Sequence, residues 1–350
     1  MENLLVDGML GLAIGDAMGI PVEGCTRAQL KANPITGYMA GGELHGVKAG
    51  TWSDITATAM ATLVSLVECM EPDGTYENYN DLMNRFLVWK MNDGYSAHEE
   101  VFRIDPELAE SIERFSDGEV PTACGKGEET DFEHDSPAAL VRLFPYAFYQ
   151  ENKFGNYEIR ELTDVEMHRL HEMAGLTNAC RASKLACGIY SSFIREVLMG
   201  INPPREAILK GIGIAFEYYD SLPEYSEVLK AFSNLRNIGE DLPEDVIATG
   251  YSSTDVLTAA VWCVLKSCGN DTEQPFVDSV LRAINLGGNT PAVAALTGSI
   301  AGCVWGYDKI PEDWKEGLAR RVWIEDVCRT FLEGKPREDA TALEEEMGYQ

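Results

Sequence analysis

Residues 8–19 read GMLGLAIGDAMG, with glycines at positions 8, 11, 15 and 19 of an otherwise apolar stretch. A second stretch, residues 292–302, reads AVAALTGSIAG and places Ala294, Gly298 and Gly302 at four-residue spacing. A glycine inside a helix costs about 1 kcal/mol relative to alanine. Small residues at this spacing let two helix backbones approach closely. The pattern predicts either tight helix packing in a core or helices that form the floor of a site, and it favours neither.

Helical periodicity dominates the rest of the chain. Apolar residues recur at three- and four-residue spacing, and strand-like alternation is nearly absent. Pro204 and Pro243 suit helix starts, whereas Gly200 and Gly287 suit positions just past helix ends. The periodic segments are 56–70, 179–199, 254–268, 275–285 and 291–305.

The sequence therefore predicts an all-α protein. Apolar residues make up 45% of the chain, which is enough to bury a large core. We expect a single domain over residues 1–334, with a loop over 119–136. Residues 335–350 are polar and acidic, and we expect a short helix or a frayed tail there.

The charge balance limits the classes of partner. Fifty-seven acidic residues face 28 basic ones, which gives a net charge of −29. Binding to nucleic acid or to an anionic membrane depends on Lys and Arg, so we expect neither partner. A small anionic ligand is not excluded, because backbone N–H groups can hold a phosphate whatever the net charge.

The cysteines and the amino terminus indicate a compartment. The nine cysteines are odd in number, and no Cys-x-x-Cys pair occurs. Such a set is typical of reduced thiols in a cytosol. The first residues, MENLLVDGML, lack the basic segment of a signal peptide, and no run of 18 apolar residues occurs. We expect a soluble, cytoplasmic protein.

Two motifs near the amino terminus carry acidic residues in apolar surroundings. Asp16 lies in the Gly-rich stretch, followed by Glu23. A buried carboxylate needs partners, so Asp16 is either a structural hydrogen-bonding group or a catalyst. The motif GTWSDIT covers residues 50–56 and opens a predicted helix. Ser53 or Asp54 can cap that helix.

A third motif, NLGGNTP, covers residues 285–291 and opens the last long periodic segment. Asn289 or Thr290 suits a helix cap there, and Pro291 suits the first turn. Gly287 and Gly288 leave backbone N–H groups accessible near that helix start. We expect that these groups could cradle an anion.

Together, and in this order, the three motifs resemble the ADP-ribosylglycohydrolase family. The segment TGSIAGCVWGYDKIPEDW after the third motif, Arg142 with Pro145, and Thr249-Gly250-Tyr251 add to the likeness. Thr177-Asn178 stands where the family usually has Thr-His. The resemblance runs from about residue 5 to residue 333, which is nearly the whole chain.

The resemblance implies a compact orthogonal helical bundle with its site between helices. That site usually holds two magnesium ions, and the usual reaction hydrolyses the glycosidic bond to C1″ of ADP-ribose. Family substrates include ADP-ribosylated arginine or serine and O-acetyl-ADP-ribose. The expected partner is thus an ADP-ribose-like or nucleotide ligand, free or carried by an ADP-ribosylated protein.

The family's metal-binding motifs are altered here. The family pattern Ser/Thr-Asp-Asp-Thr reads Ser53-Asp54-Ile55-Thr56, and Gly-Asp-Thr-Asp-Thr reads GNTPA over residues 288–292. Isoleucine and proline offer no side-chain oxygen, whereas Mg²⁺ needs hard oxygen ligands and is usually held by carboxylates. We expect no cofactor, and Ser53 with Asp54 as a weak site for one ion is the alternative. The replaced positions are Ile55, Asn289, Pro291 and Ala292.

Candidate site residues follow from these motifs. Asp54 is a candidate to activate water, Glu23 matches a family loop residue near the scissile bond, and Asp16 is the third catalytic candidate. Asn178 has no acid–base role. His134 and Asp135 precede the middle motif, and His134 fits a surface loop better than the site. Candidate ligand-binding residues are Ser53, Gly287, Gly288, Asn289, Thr290 and Tyr251.

Three functions remain open from the sequence. The first is a hydrolase of an ADP-ribosyl or related ribosyl glycosidic bond with an altered or absent metal site. The second is a pseudoenzyme that binds an ADP-ribose-like or nucleotide ligand without turnover. The third is a structural or interaction protein on the same fold. Family likeness favours the first, and the replaced ligands favour the second.

Overall fold

The computed structural model describes residues 4–37, 40–42, 44–69, 76, 78–154, 162–269 and 272–334, with the side chains of 151–154 left out. Within these ranges the chain is helical and has no strand, only the isolated bridges Gly42–Val47 and Lys126–Asn178. The all-α prediction is confirmed. The predicted tail over 335–350 lies outside the described residues, and the single domain over 1–334 stays a prediction.

The described part of the chain contains seventeen α-helices. They are α1 Leu4–Gly19, α2 Arg27–Ala32, α3 Asp54–Cys69, α4 Tyr79–Asn92, α5 Pro106–Ser116, α6 Ala138–Val141, α7 Phe144–Phe154, α8 Asp164–Gly175, α9 Arg181–Leu198, α10 Pro204–Asp220, α11 Val228–Ala231, α12 Ser233–Arg236, α13 Ser253–Cys268, α14 Pro275–Asn285, α15 Thr290–Trp305, α16 Glu312–Gly317 and α17 Arg321–Glu333. Short 3₁₀ turns cover Ile20–Val22, Pro121–Ala123, Pro223–Tyr225, Glu244–Val246 and Tyr307–Lys309.

The five periodic segments all become helices, with ends within about two residues of the prediction. Pro204 begins α10, and Pro243 precedes the 3₁₀ turn at Glu244–Val246. Gly200 and Gly287 follow helix ends with positive φ of 73° and 77°. The segment predicted as a loop over 119–136 carries only the short turn Pro121–Ala123. Periodicity was sufficient here because apolar faces must pack on a core.

The small residues of α1 and α15 form a close seam between these two helices. A Cβ added at Gly11 would lie 2.0 Å from the carbonyl oxygen of Gly298, and one at Gly298 would lie 2.0 Å from that of Gly11. A Cβ at Gly15 would lie 2.0 Å from the Ala294 carbonyl oxygen. No side chain fits at such distances, so the glycines permit backbone contact. Tight packing, the first of the two interpretations, therefore accounts for both stretches.

The seam lies at the centre of a continuous apolar core. Every residue of α1 from Leu5 to Gly19 is buried, as is every residue of α15 from Thr290 to Cys303. The stretch Leu4–Val22 is long and apolar enough to cross a membrane by length and composition, although no run of 18 apolar residues was found in the sequence. Because 89% of that window is buried within the fold, α1 serves here as a core helix. All nine cysteines are free thiols.

Candidate functional site

Asp16 connects the seam to the start of α3. Its carboxylate is fully buried and accepts four hydrogen bonds. The donors are the backbone N–H groups of Ser53, at 2.9 Å, and Thr56, at 3.1 Å, and the hydroxyls of the same two residues, each at 2.7 Å. Burial raises the pKa of Asp16 to about 6, and the hydrogen bonds from Ser53 and Thr56 oppose that rise.

This arrangement changes the expected cap of α3. The sequence predicted that Ser53 or Asp54 caps the helix, but an acceptor from a different helix, Asp16, takes the N–H of Thr56 in the first turn. Ser53 Oγ accepts only a long bond of 3.4 Å from the N–H of Ile55. Asp16 thus ties α1 to α3, and the geometry favours the structural interpretation of Asp16 over the catalytic one.

Asp54 faces the opposite way, toward the loop that precedes α5. The residue is 3% exposed. Its Oδ1 accepts a short hydrogen bond from Nη1 of Arg103, and its Oδ2 accepts one of 2.7 Å from the backbone N–H of Asp105. Both carboxylate oxygens of Asp54 are therefore engaged by donors of one loop.

Glu23 belongs to the same charged cluster. Its Oε1 accepts a hydrogen bond of 2.9 Å from Nε of Arg103, and its Oε2 lies 2.8 Å from Nε2 of His45. Arg103 thus joins Glu23 to Asp54, and all three side chains are at most 13% exposed. Burial lowers the pKa of Arg103, but Asp54 and Glu23 outweigh it and raise that pKa above the ordinary value. The guanidinium is charged.

A hydrogen-bonded chain extends the cluster to α5 and α6. Asp105 caps α5 and accepts hydrogen bonds from the N–H of Glu107, at 3.0 Å, and from Ser136 Oγ, at 3.0 Å. Asn178 donates to Ser136 Oγ at 2.9 Å and accepts from the N–H of Ala139 at 3.1 Å. Burial, followed by the nearby charge of Asp54, raises the pKa of Asp105. Asn178 therefore has a structural role at the position where the family usually has histidine.

A small cavity opens beside this cluster. Its volume of about 10 Å³ is close to the minimum that holds one water molecule. Two of the altered metal-ligand positions, Ile55 and Ala292, face the same cavity as Arg103. The lining residues are Asp54, Ile55, Thr58, Arg103, Asp105, Leu108, Pro137, Ala138, Val141 and Ala292.

The Gly287–Gly288 loop does not support the predicted anion cradle. The N–H of Gly287 donates to the Ile284 carbonyl at 3.1 Å, and that of Gly288 donates to the Cys25 carbonyl at 2.8 Å. Both glycines have positive φ, and a Cβ at Gly288 would lie 2.1 Å from the Thr249 carbonyl oxygen. These glycines are needed for close backbone packing. An anion would have to break existing hydrogen bonds to use their N–H groups.

The next two residues are also held by the fold. The N–H of Asn289 donates to the Thr249 carbonyl at 3.0 Å, and that of Thr290 donates to the Gly288 carbonyl at 2.9 Å. Thr290 Oγ1 donates to the Gly19 carbonyl at 2.7 Å, at the end of the seam. The Asn289 side chain makes no capping bond, and its fully buried amide has no hydrogen-bond partner among the described residues. Of this motif, Asn289 alone keeps free side-chain polar atoms.

Three further candidates lie outside the charged cluster. Tyr251 is 56% exposed in the loop before α13. His134 lies on a partly exposed loop, as predicted, with its Nδ1 3.0 Å from Oε2 of Glu107. Asp135 accepts hydrogen bonds from Ser183 Oγ, at 2.8 Å, and Ser253 Oγ, at 2.6 Å, and so joins α9 to α13. None of the three contacts Asp54 in the described structure.

Sequence reasoning missed Arg103 and Asp105. Asp105-Pro106 is a recognisable helix start, because an N-cap aspartate followed by proline favours the first turn. That signal locates α5 but not the contact with Asp54, which lies 51 residues earlier in the chain. No local pattern marks Arg103. The site thus contains one cation and one carboxyl group that only the tertiary structure reveals.

The fold and the site define an all-α protein with carboxylates gathered at a small pocket between helices. The chain matches the ADP-ribosylglycohydrolase family over residues 2–341. It belongs to that family, so the predicted resemblance is confirmed. The four replaced positions in the metal motifs, Ile55, Asn289, Pro291 and Ala292, are therefore departures within a family whose fold is kept.

Individual relatives agree with this membership. The chain is 24% identical over 331 residues to ADP-ribosylarginine hydrolase Tri1 of Serratia proteamaculans, covering 95% of this chain and 79% of that protein. It is 30% identical over 100 residues to human ADP-ribosylhydrolase ARH3, covering 26% of this chain and 28% of that protein. A solved structure titled ADP-ribosylglycohydrolase-related protein complex superposes with a TM-score of 0.69 at 22% identity, covering 95% of this chain and 98% of that one. This last likeness shows the shared fold.

Proposed function

We propose that this protein binds an ADP-ribosyl ligand without a two-magnesium centre and has lost the family's metal-dependent hydrolysis. The donor set of the site carries the proposal. Of the positions that hold metal in the family pattern, Ile55, Pro291 and Ala292 have no side-chain oxygen. Ser53 Oγ is engaged with Asp16, and both oxygens of Asp54 are engaged with Arg103 and Asp105.

Such a donor set does not fit two magnesium ions. Mg²⁺ requires near-octahedral oxygen coordination and is usually held by carboxylates, whereas Asp54 is the one carboxylate kept at these positions and both of its oxygens are engaged. Two neighbouring divalent ions also need several carboxylates to offset their repulsion. Asn289 contributes a neutral amide oxygen, which adds no charge. No catalytic step is therefore assigned to a metal in this chain.

The ligand class rests on the family and on its relatives. The relatives described above are named for hydrolysis of ADP-ribosyl groups, one of them on arginine. The Asn289 amide is buried and without a partner among the described residues, so a ligand that reaches it would gain a hydrogen bond that the free protein lacks. We propose ADP-ribose, free or attached to a protein side chain, in the cytoplasm.

Ligand binding and turnover are measured on the full chain. We expect ADP-ribose to raise the unfolding temperature, because a ligand stabilises the state that binds it. The rise should be equal in the presence of Mg²⁺ and of a chelator, because the proposed binding needs no two-magnesium centre. We expect no release of ADP-ribose from ADP-ribosylated arginine or serine. Asp54→Ala should weaken ADP-ribose binding, whereas Asp313→Ala, at an exposed position, should not. Magnesium-dependent turnover would show that the proposal is wrong.

A second candidate function is metal-independent hydrolysis of the same bond. The observation that favours it is the pair Asp54 and Asp105 at one cavity, with the pKa of Asp105 raised by burial. A pair of carboxyl groups in different environments can divide the acid and base roles of glycoside cleavage. Turnover that persists in a chelator and is abolished by Asp105→Asn would favour this function over ligand binding alone.

A further inference from the structure

The guanidinium of Arg103 stands between two buried carboxylates of the site. Nε donates to Glu23 and Nη1 donates to Asp54, so one cation bridges residues that are 31 positions apart in the chain. The Arg103 side chain is 13% exposed, and those of Glu23 and Asp54 are 10% and 3% exposed. Two buried carboxylates that bind the same guanidinium require that cation to offset their mutual repulsion and their loss of hydration.

The position of Arg103 coincides with the altered metal motifs. Arg103 lines the same cavity as Ile55 and Ala292, two positions at which the family pattern has oxygen-bearing side chains. Because Arg103 engages both Glu23 and Asp54, a divalent ion bound by these carboxylates would have to displace the guanidinium. A fixed cation and the replaced ligand positions therefore lie at one place in the fold.

The charges also match. Two carboxylates with one guanidinium leave a modest negative charge, whereas the same two carboxylates could not neutralise a pair of divalent ions. Guanidinium is always charged and offers several donors in a fixed fork, which suits it to two carboxylates at once. A lysine has a single ammonium and would reach one carboxylate better than two.

We propose that Arg103 is a built-in replacement for the family's metal: its guanidinium holds Glu23 and Asp54 in place and keeps divalent cations out. This inference rests on the proposed function, since it concerns the same site. Arg103 acts here as a positioning residue. The N–H of Asp105, two residues later, also binds Asp54, so the loop is fixed to the cluster at two points.

Removal of the guanidinium tests the proposal. In Arg103→Gln, the carboxylates of Glu23 and Asp54 lose their cation, and we expect Mg²⁺ and Mn²⁺ to bind at least about ten-fold more tightly than to the wild type, measured by calorimetry and by the shift in unfolding temperature. Arg103→Lys keeps a positive charge and should not gain this affinity. Arg329→Gln is the matched control, because it removes a half-exposed guanidinium that pairs with Glu325 and Asp326.

Restoration of the ligands is the second measurement. The triple variant Ile55→Asp, Asn289→Asp, Pro291→Asp is compared with and without Arg103→Gln. We expect the triple variant with Arg103→Gln to bind Mn²⁺ at least about ten-fold more tightly than the triple variant that keeps Arg103. If neither single nor combined removal of Arg103 increases divalent-ion affinity, the inference is wrong. If the wild type itself binds Mg²⁺ in a two-ion site, both this inference and the proposed function are wrong. The wild-type measurement therefore distinguishes failure of the inference alone from failure of the proposed function.

Discussion

Two buried aspartates near the start of α3 are stabilised in different ways. Asp16 receives four hydrogen bonds from neutral donors of Ser53 and Thr56. Asp54, adjacent to Ser53 in the chain, receives one hydrogen bond from a backbone N–H and one from the guanidinium of Arg103. The first set of contacts joins two core helices, and the second gathers charges at a cavity.

The difference separates a carboxylate that holds two helices together from one that lies among charges beside the altered metal motifs. Neutral donors arranged on one helix end stabilise a carboxylate while they fix the packing of α1 on α3. A cation brought from a distant loop stabilises a carboxylate at a place where the family pattern has metal ligands. We infer that the scaffold around Asp16 serves the fold and that the cluster around Asp54 defines what this site can bind.

The largest expected effect concerns Arg103. In Arg103→Met, Glu23 and Asp54 are left buried without their cation, so we expect a loss of about 3–5 kcal/mol in the free energy of unfolding. Urea denaturation measures it. The control Arg329→Met removes a guanidinium that is 54% exposed and should lose less than about 1 kcal/mol. Equal losses in the two variants would contradict the account of Asp54 as a charge-stabilised group.

The next effect concerns Asp16. In Asp16→Ala, two backbone N–H groups and two hydroxyls lose their acceptor inside the core, and we expect a loss of about 3 kcal/mol in the free energy of unfolding. Asp117→Ala, at an exposed position, should change it by less than about 0.5 kcal/mol. If Asp16→Ala were as stable as Asp117→Ala, Asp16 would not connect α1 to α3 as described.

Asp7, at the other end of α1, is a buried carboxylate whose pKa is only partly lowered by a hydrogen bond from the backbone N–H of Tyr307. It is 5% exposed, its Oδ1 has no hydrogen-bond partner among the described residues, and burial raises its pKa to about 6 from 3.8. The native state then holds a proton that the unfolded chain releases, so the stability that this group contributes is present below about pH 4 and lost as the pH rises through about 6. Between about pH 4 and pH 6, the free energy of unfolding of the wild type should fall by on the order of 2 kcal/mol relative to that of Asp7→Asn.

That pH dependence is measured by urea denaturation of both proteins at a series of pH values. The difference between wild type and Asp7→Asn isolates Asp7 from other titrating groups. A difference that stays constant from pH 4 to pH 7 would show that Asp7 does not titrate in this way.

The smallest expected effect concerns Ser53. Ser53→Ala removes one of the four donors to Asp16 and keeps the backbone N–H, so we expect a loss of about 1 kcal/mol. Because the hydroxyl acts through Asp16, the same substitution in the Asp16→Ala background should have a smaller effect. Additive losses in a double-mutant cycle would mean that the Ser53 hydroxyl stabilises the protein by another route.

Much of the fold could be predicted from the sequence, whereas the site could be predicted only in part. The helices α3, α9, α13, α14 and α15 follow from apolar periodicity. The motifs correctly indicated the family, and Glu23 and Asp54 do lie in one cluster. The anion cradle was expected from two adjacent glycines, Gly287 and Gly288, just before a helix start. That pattern does not show whether their N–H groups are already bonded to Ile284 and Cys25.

By itself, the sequence determined the helical class and the family, because periodicity and motif order are directly readable properties. The small-residue spacing left tight packing and a site floor equally open, and the structure decided that α1 packs on α15. Only the tertiary structure decided that Asp16 caps α3 and that Arg103 bridges Glu23 and Asp54. The reason is physical: a buried charge is satisfied by whichever donor the fold brings within about 3 Å, and the partner of Asp54 lies 49 residues away in the chain.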